Sequence, residues 1–228
     1  MGKNDNGNNG RTELVFVVDR SGSMGGLESD TIGGFNSMLS KQRTIAGECR
    51  VTTLLFDHRI ETLHNHLDIR EVNDLTSRDY WVRGSTALLD AIGLAIDRMI
   101  VTQRHTAAAY RAQHVLFVII TDGYENASRR YSLHQIKQMI TYERERYHWE
   151  FVFLGANIDA EQTAGDFGIS PRCATDFHAD GQGIKASFEA VACAATAVRG
   201  GADLDDLSAP DFLGGVRDGY RSRRRMKR

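Results

Sequence analysis

Three short stretches of this 228-residue chain carry oxygen donors suited to a hard cation. Asp19-Arg20-Ser21-Gly22-Ser23 sets a carboxylate and two hydroxyls at alternate positions, just before Met24, Gly25 and Gly26. Gly84-Ser85-Thr86 adds two more hydroxyls. Thr121-Asp122-Gly123 adds a second carboxylate, with Glu125 and Asn126 close behind. Such donors fit Mg²⁺, Mn²⁺ or Ca²⁺ better than zinc. Two carboxylates offset the formal charge of a divalent ion. If they act through water while neutral hydroxyls fill the inner positions, the ion stays electron-poor. Mg²⁺ demands a full octahedral set of ligands. Three hydroxyls plus waters leave room for one oxygen from outside, by preference an anionic carboxylate. That arrangement is a socket for a partner's Asp or Glu and needs no reaction to explain it.

Each stretch also has an ordinary structural explanation. Asp19, Ser21, Ser85 or Thr86 can cap the helix that follows, and Asp122-Gly123 is a common turn pair. What favours the cation is that all three occur in one chain, each beside an element that could aim it.

Those elements alternate. Thr12–Val18, Cys49–Phe56, His114–Thr121 and Trp149–Leu154 are short apolar runs of the kind that form buried strands. Arg59–His66 alternates weakly and suits a polar edge strand; Cys173–Phe177 suits a short last strand. Leu88, Ala91, Ile92, Ala95, Ile96, Met99 and Ile100 form a helical stripe. Further helices are expected over about 28–45, 132–146, 159–167 and 184–198, the last ended by Gly200-Gly201. Buried strands alternating with helices predict an α/β fold, a three-layer α/β/α sandwich on a mostly parallel sheet covered on both faces. Such sheets bind ligands at the carboxyl ends of their strands, near the switch in strand order. Residues 1–11 and about 201–228 are expected to be tails around one domain over 12–200.

Composition narrows the function. The chain is 41% apolar and 25% charged, enough for one sizeable core. It has no apolar run of 18 residues, so no membrane span is expected. Cys49, Cys173 and Cys193 show no ligand spacing and read as reduced thiols of a cytoplasmic protein. The net charge of -2 hides an asymmetry: Arg221, Arg223, Arg224, Arg225, Lys227 and Arg228 crowd the last eight positions, leaving 22 basic against 30 acidic residues elsewhere. An acidic body is not a nucleic-acid-binding domain, so contact with nucleic acid is expected only through residues 221–228. His64 and His66 are expected to be exposed on the edge strand. Neither G-x-G-x-x-G nor a P-loop sequence occurs.

The motifs Asp19-x-Ser21-x-Ser23, Gly84-Ser85-Thr86 with Leu89-Asp90-Ala91, and Thr121-Asp122-Gly123 resemble, in order and spacing, the metal-ion-dependent adhesion site of the von Willebrand factor A domain family. Gly33-Gly34-Phe35-Asn36 and Phe153-Leu154-Gly155-Ala156-Asn157 resemble its small stand-alone bacterial and phage members. The resemblance implies a Rossmann-like sheet with one antiparallel edge strand, here Arg59–His66. It implies a Mg²⁺ site (or Mn²⁺ or Ca²⁺) with Ser21, Ser23 and Thr86 as direct ligands and Asp19 and Asp122 acting mainly through water. Gly22, Met24, Ser85, Gly123 and Glu125 would form the rim that meets a partner. It also implies a non-enzymatic module that binds a carboxylate of a protein partner, in the company of an AAA+ ATPase for intracellular members.

Two other functions compete. A metal-assisted hydrolase or phosphatase could use Asp19 as nucleophile, but an Asp-x-Asp phosphatase needs a second carboxylate where Ser21 stands. A nucleic-acid-associated protein would act through the basic tail. From the sequence, Asp19→Ala is expected to stabilise the metal-free fold by separating two like charges.

Overall fold

The computed structural model describes residues 10–226. Six strands, β1 (Thr12–Asp19), β2 (Cys49–Phe56), β3 (Ile60–Asp68), β4 (His114–Thr121), β5 (Glu150–Gly155) and β6 (Ala174–Asp176), form one sheet in the order β3-β2-β1-β4-β5-β6. All pairs are parallel except β2 with β3. The runs without alternation, such as HVLFVIIT in β4, are buried on both faces, as a helix-covered parallel sheet requires. The expected edge strand is β3, whose tight return from β2 permits antiparallel pairing.

Helices α1 (Glu28–Arg43) and α5 (Gly181–Arg199) cover one face. Phe16 of β1 meets Phe35 of α1 edge-on at 5.3 Å, and Phe35 in turn meets Phe188 of α5 at 6.2 Å. The two helices approach closely because Gly34 has no side chain: a Cβ there would stand 2.4 Å from the Phe188 ring. Helices α2 (Leu88–His105) and α3 (Leu133–Tyr147) cover the other face. Phe117 pairs in register with Val15, which alternation turns away from Phe16, and stacks on Trp149 and Phe151. A Ser132–Gln135 capping box starts α3, and Asp180 caps α5 by accepting from Gly183 N at 2.8 Å. Helix α4 (Ala160–Asp166) follows β5. Among the described residues no helix is long and apolar enough to cross a membrane.

Three sequence expectations change. Residues 214–226 form helix α6, where no element was expected. Its residue Arg217 donates to the carbonyls of Pro171, Arg172 and Ala174, tying it beside β6. Net charge had masked a helix that tertiary contacts hold. The part of the N-terminal tail over 1–9, and residues 227–228 of the basic end, lie outside the described residues; Arg11 is anchored, pairing with Glu48 at 2.7 Å. His64 and His66 are not an exposed pair. A bulge breaks the β2–β3 register, so buried His64 bonds Thr53 Oγ1 at 3.0 Å while His66 lies 2.8 Å from the buried Glu13 of β1. Of the thiols, Cys49 and Cys173 are buried and Cys193 is exposed.

At the start of β5, burial pushes the Glu150 carboxyl from its ordinary 4.5 up to about 7, with the Asp203 charge adding to the effect. Between those values the unfolded chain has released a proton that the folded chain keeps. Stability therefore falls as pH rises from about 4.5 to about 7 and levels off above. Urea unfolding across that window checks this: the decline is steeper in wild type than in Glu150→Gln.

Candidate metal centre

The order β3-β2-β1-β4 places the switch between β1 and β4, where the chain leaves for opposite faces. Their parallel register sets Val18 beside Ile120, so Asp19 and Thr121 emerge as neighbours. Thr121 Oγ1 donates to Asp19 Oδ2 at 2.6 Å, and Ser21 N donates to Asp19 Oδ1 at 2.7 Å. After Ser21 the chain makes a single 3₁₀ turn, Gly22–Met24. This turn brings Ser21 Oγ and Ser23 Oγ to 3.1 Å and lets Ser23 Oγ donate to Asp122 Oδ1 at 2.5 Å. Thr86 belongs to the same cluster. A Cβ on Gly123 would stand 3.3 Å from Ser23 Oγ and 3.6 Å from Thr86 Oγ1. Gly123 thus keeps the space between the hydroxyls open. All five expected ligands converge at one end of the sheet.

Their electrostatics are those of a site short of positive charge. Asp19, Ser21, Thr86 and Asp122 are almost wholly buried, while Ser23 is exposed. Burial pushes the Asp19 carboxyl up to about 6, with Asp122 adding a smaller push, against hydrogen bonds from Thr121 and Ser21. Burial raises Asp122 too, opposed by the Ser23 hydroxyl. Asp122 Oδ2 is buried with no hydrogen-bond partner among the described residues. An unpaired buried carboxylate oxygen beside three hydroxyl oxygens fits a hard divalent cation. Ser21, Ser23 and Thr86 would hold such an ion, with Asp19 and Asp122 as the balancing charges. It would supply Lewis acidity toward an incoming oxygen. No group of three or more His, Cys, Asp or Glu side chains competes for a metal among the described residues.

Residues outside the expected ligand set hold the three loops together. Arg20, although only 1% exposed, pairs with the buried Asp57 at 3.1 Å and with Glu61 at 2.8 Å. Asp57 also accepts from Arg83 Nε at 2.8 Å. Burial alone would raise the Asp57 carboxyl, but hydrogen bonds from Arg83 and from the Arg59 backbone, with the Arg20 charge, hold it below its ordinary value. The first two loops are also joined directly: Gly22 N donates to Gly84 O at 3.1 Å and Arg83 N to Arg20 O at 2.9 Å. Gly84 adopts φ +68, a left-handed conformation that suits glycine. The Tyr80 hydroxyl donates to Asp19 O at 2.6 Å from below. Asn126 joins the second and third loops, accepting from Thr86 N at 2.9 Å and donating its own N–H to Thr86 O at 3.0 Å. Asp90 accepts from the backbone of Arg129, Arg130 and Tyr131. One signal was readable: Asp57 follows an apolar strand at the same sheet edge as Asp19 and Asp122.

The expected rim divides. Gly22 and Ser85 are exposed and Gly123 is partly so. Met24 is fully buried and packs beneath the loop, because the 3₁₀ turn points it into the core. Glu125 accepts from the backbone of Ala127, Ser128 and Leu89 and from the Ser128 hydroxyl, so its carboxylate is engaged within the chain. Exposed Trp81 and Tyr124, on the second and third loops, were not expected there. The Arg83 guanidinium lies 4.2 Å from the Trp81 ring centre, and that of Arg20 lies 5.6 Å from it.

The fold is similar to that of solved structures with a von Willebrand factor A domain. The proximal thread matrix protein 1 of the mussel byssus, with a zinc-occupied metal-ion-dependent adhesion site motif, superposes with a TM-score of 0.58 at 15% identity, over 82% of this chain and 46% of that one. The PilB minor pilin of Streptococcus sanguinis gives 0.57 at 13% identity, over 88% and 64%. The manganese-loaded TRAP protein of Plasmodium vivax gives 0.53 at 15%, over 78% and 72%. The chain thus spans about half the length of the mussel protein. No family model matches the sequence, and no curated protein matches it by sequence search.

Proposed function

We propose that the chain is a non-enzymatic protein-binding module. In this reading a divalent cation held by Ser21, Ser23 and Thr86, and balanced by Asp19 and Asp122, accepts an Asp or Glu carboxylate from a partner protein. The observation that carries it is the buried Asp122 Oδ2, which has no hydrogen-bond partner among the described residues and stands beside a cluster of hydroxyls. What speaks for binding rather than turnover is that Ser21 occupies the position where an Asp-x-Asp phosphatase would need its acid, and that Thr121 and the Ser21 backbone engage Asp19. Mg²⁺ is the proposed resident ion, since a donor set of hydroxyls, carboxylates and water suits it. The zinc reported for the mussel protein shows that a related motif accepts another divalent ion. Cytoplasmic location, work beside an AAA+ ATPase, and a domain over 12–200 with a basic extension over 201–228 belong to the same proposal. They rest on the three widely spaced cysteines, on the basic run over 221–228 and on the family resemblance.

Acetate, a minimal carboxylate, tests the reading by calorimetry. It is expected to bind only when Mg²⁺ or Mn²⁺ is present, and Thr86→Ala is expected to weaken binding at least tenfold. Acetate binding that persists in EDTA overturns the metal reading. Hydrolysis of a phosphate ester that vanishes in Asp19→Asn would replace it with the hydrolase.

A further inference from the structure

At the opposite end of the sheet from the metal centre, the last turns of α2 and α3 and the beginning of β4 enclose a cavity of about 180 Å³. Ile100, Val115 and Trp149 form its apolar wall, and the half-exposed Tyr142 and Tyr147 stand at its edge. Glu143 enters this cavity from α3. It is 4% exposed, and among the described residues its carboxylate has neither a hydrogen-bond donor nor a cation within ion-pair distance. Burial raises its pKa, with the Arg104 charge opposing at longer range.

Basic side chains stand nearby, Arg104 and His105 in the last turn of α2 and Arg144 and Arg146 in that of α3, but none of them pairs with the Glu143 carboxylate. The carbonyl ends of two helices converge here, each carrying partial negative charge. Arg111, on the lining, is already committed, donating to the Thr106 carbonyl at 2.9 Å. Arg104 is exposed at the edge. The Glu143 oxygens face the cavity and no group among the described residues pairs with them, so solvent or a ligand entering the cavity is what satisfies them. Aromatic rings beside it favour an organic cation over a hydrated metal ion, because their faces attract positive charge and their bodies pack against methylenes.

We propose that this cavity binds an alkylammonium group, from a lysine side chain or a free aliphatic amine, with Glu143 as its counter-charge and Trp149 and the two tyrosines around its stem. The site shares no residue with the metal centre and is independent of the function proposed there.

Pentylammonium and Nα-acetyl-lysine amide, titrated separately into the full chain and followed by saturation-transfer NMR and calorimetry, test it. Binding of either is expected in EDTA as well as in Mg²⁺. It is expected to weaken at least tenfold in Glu143→Gln and to persist in Glu145→Gln, an exposed neighbour on the same helix. Pentan-1-ol, equal in stem but neutral, is expected to bind at least tenfold more weakly. Binding of the lysine amide alone identifies a protein side chain as the ligand; binding of both admits a free amine. Glu143→Gln removes a charge that burial disfavours, so its unfolding midpoint should match or exceed wild type. The proposal is overturned if neither probe binds the wild type, or if Glu143→Gln, shown folded by circular dichroism, binds as tightly.

Discussion

Mg²⁺ added to the wild-type chain should raise its unfolding temperature, and Asp122→Asn should abolish that rise while leaving the metal-free protein as stable or more so. A ligand bound only by the folded state, at a hundredfold excess over its dissociation constant, contributes about 2.7 kcal/mol. For a chain of this size that is roughly 5–11 °C. Asp122 carries the argument because one of its buried oxygens has no partner among the described residues and burial already disfavours its charge. Replacing that charge by an amide relieves the metal-free state but removes half of the anionic balance. Asp19→Ala has a different expected result. Asp19 accepts from the Thr121 hydroxyl and from Ser21 N. Its loss strands both donors, at about 1–3 kcal/mol for each buried group left unsatisfied. The stabilisation expected from charge separation alone is therefore replaced by a loss. Differential scanning calorimetry with Mg²⁺, Mn²⁺, Ca²⁺ and EDTA separates these effects. A wild type indifferent to every ion would remove the metal centre from the account.

Asp57→Asn should destabilise the fold by about 3–5 kcal/mol, the usual cost of stripping one partner from a buried ion pair. Arg20 and Asp57 are both almost wholly inaccessible, and Arg83 draws on the same carboxylate. Glu61 still faces Arg20, but it is exposed, so its compensation is weak. The consequence reaches the metal centre, because Arg20 lies between Asp19 and Ser21 and Arg83 lies three residues before Thr86. Metal affinity is expected to fall along with stability. The double variant Arg20→Met/Asp57→Leu distinguishes charge from packing: replacing the whole pair should recover much of the stability lost in Asp57→Asn. Urea unfolding with a Mg²⁺ titration reports both quantities. Equal stability of Asp57→Asn and wild type would show that the buried pair does not hold the loops.

The strands were legible because a two-sided buried strand must be apolar throughout, as HVLFVIIT is. The helices were legible where an apolar stripe faced the sheet, as in α2. Helix α6 was not, since its sequence GGVRDGYRSRRRM offers little apolar surface and its placement depends on Arg217 finding distant carbonyls. The bulge in β3 was equally hidden. Alternation assigns faces only while the register is unbroken, and the partner strand decides where it breaks.

By itself the sequence determined the layered sandwich and the identity of the five oxygen-bearing residues, because both depend on residue type and local spacing. Tertiary structure alone decided that these residues meet, that Met24 turns inward while Trp81 and Tyr124 face solvent, and that Glu125 is engaged by backbone amides. It also decided that Glu143 faces a cavity with no partner among the described residues. The reason is physical: burial and pairing are properties of space between segments far apart in the chain, and no local pattern encodes which distant group will fill it.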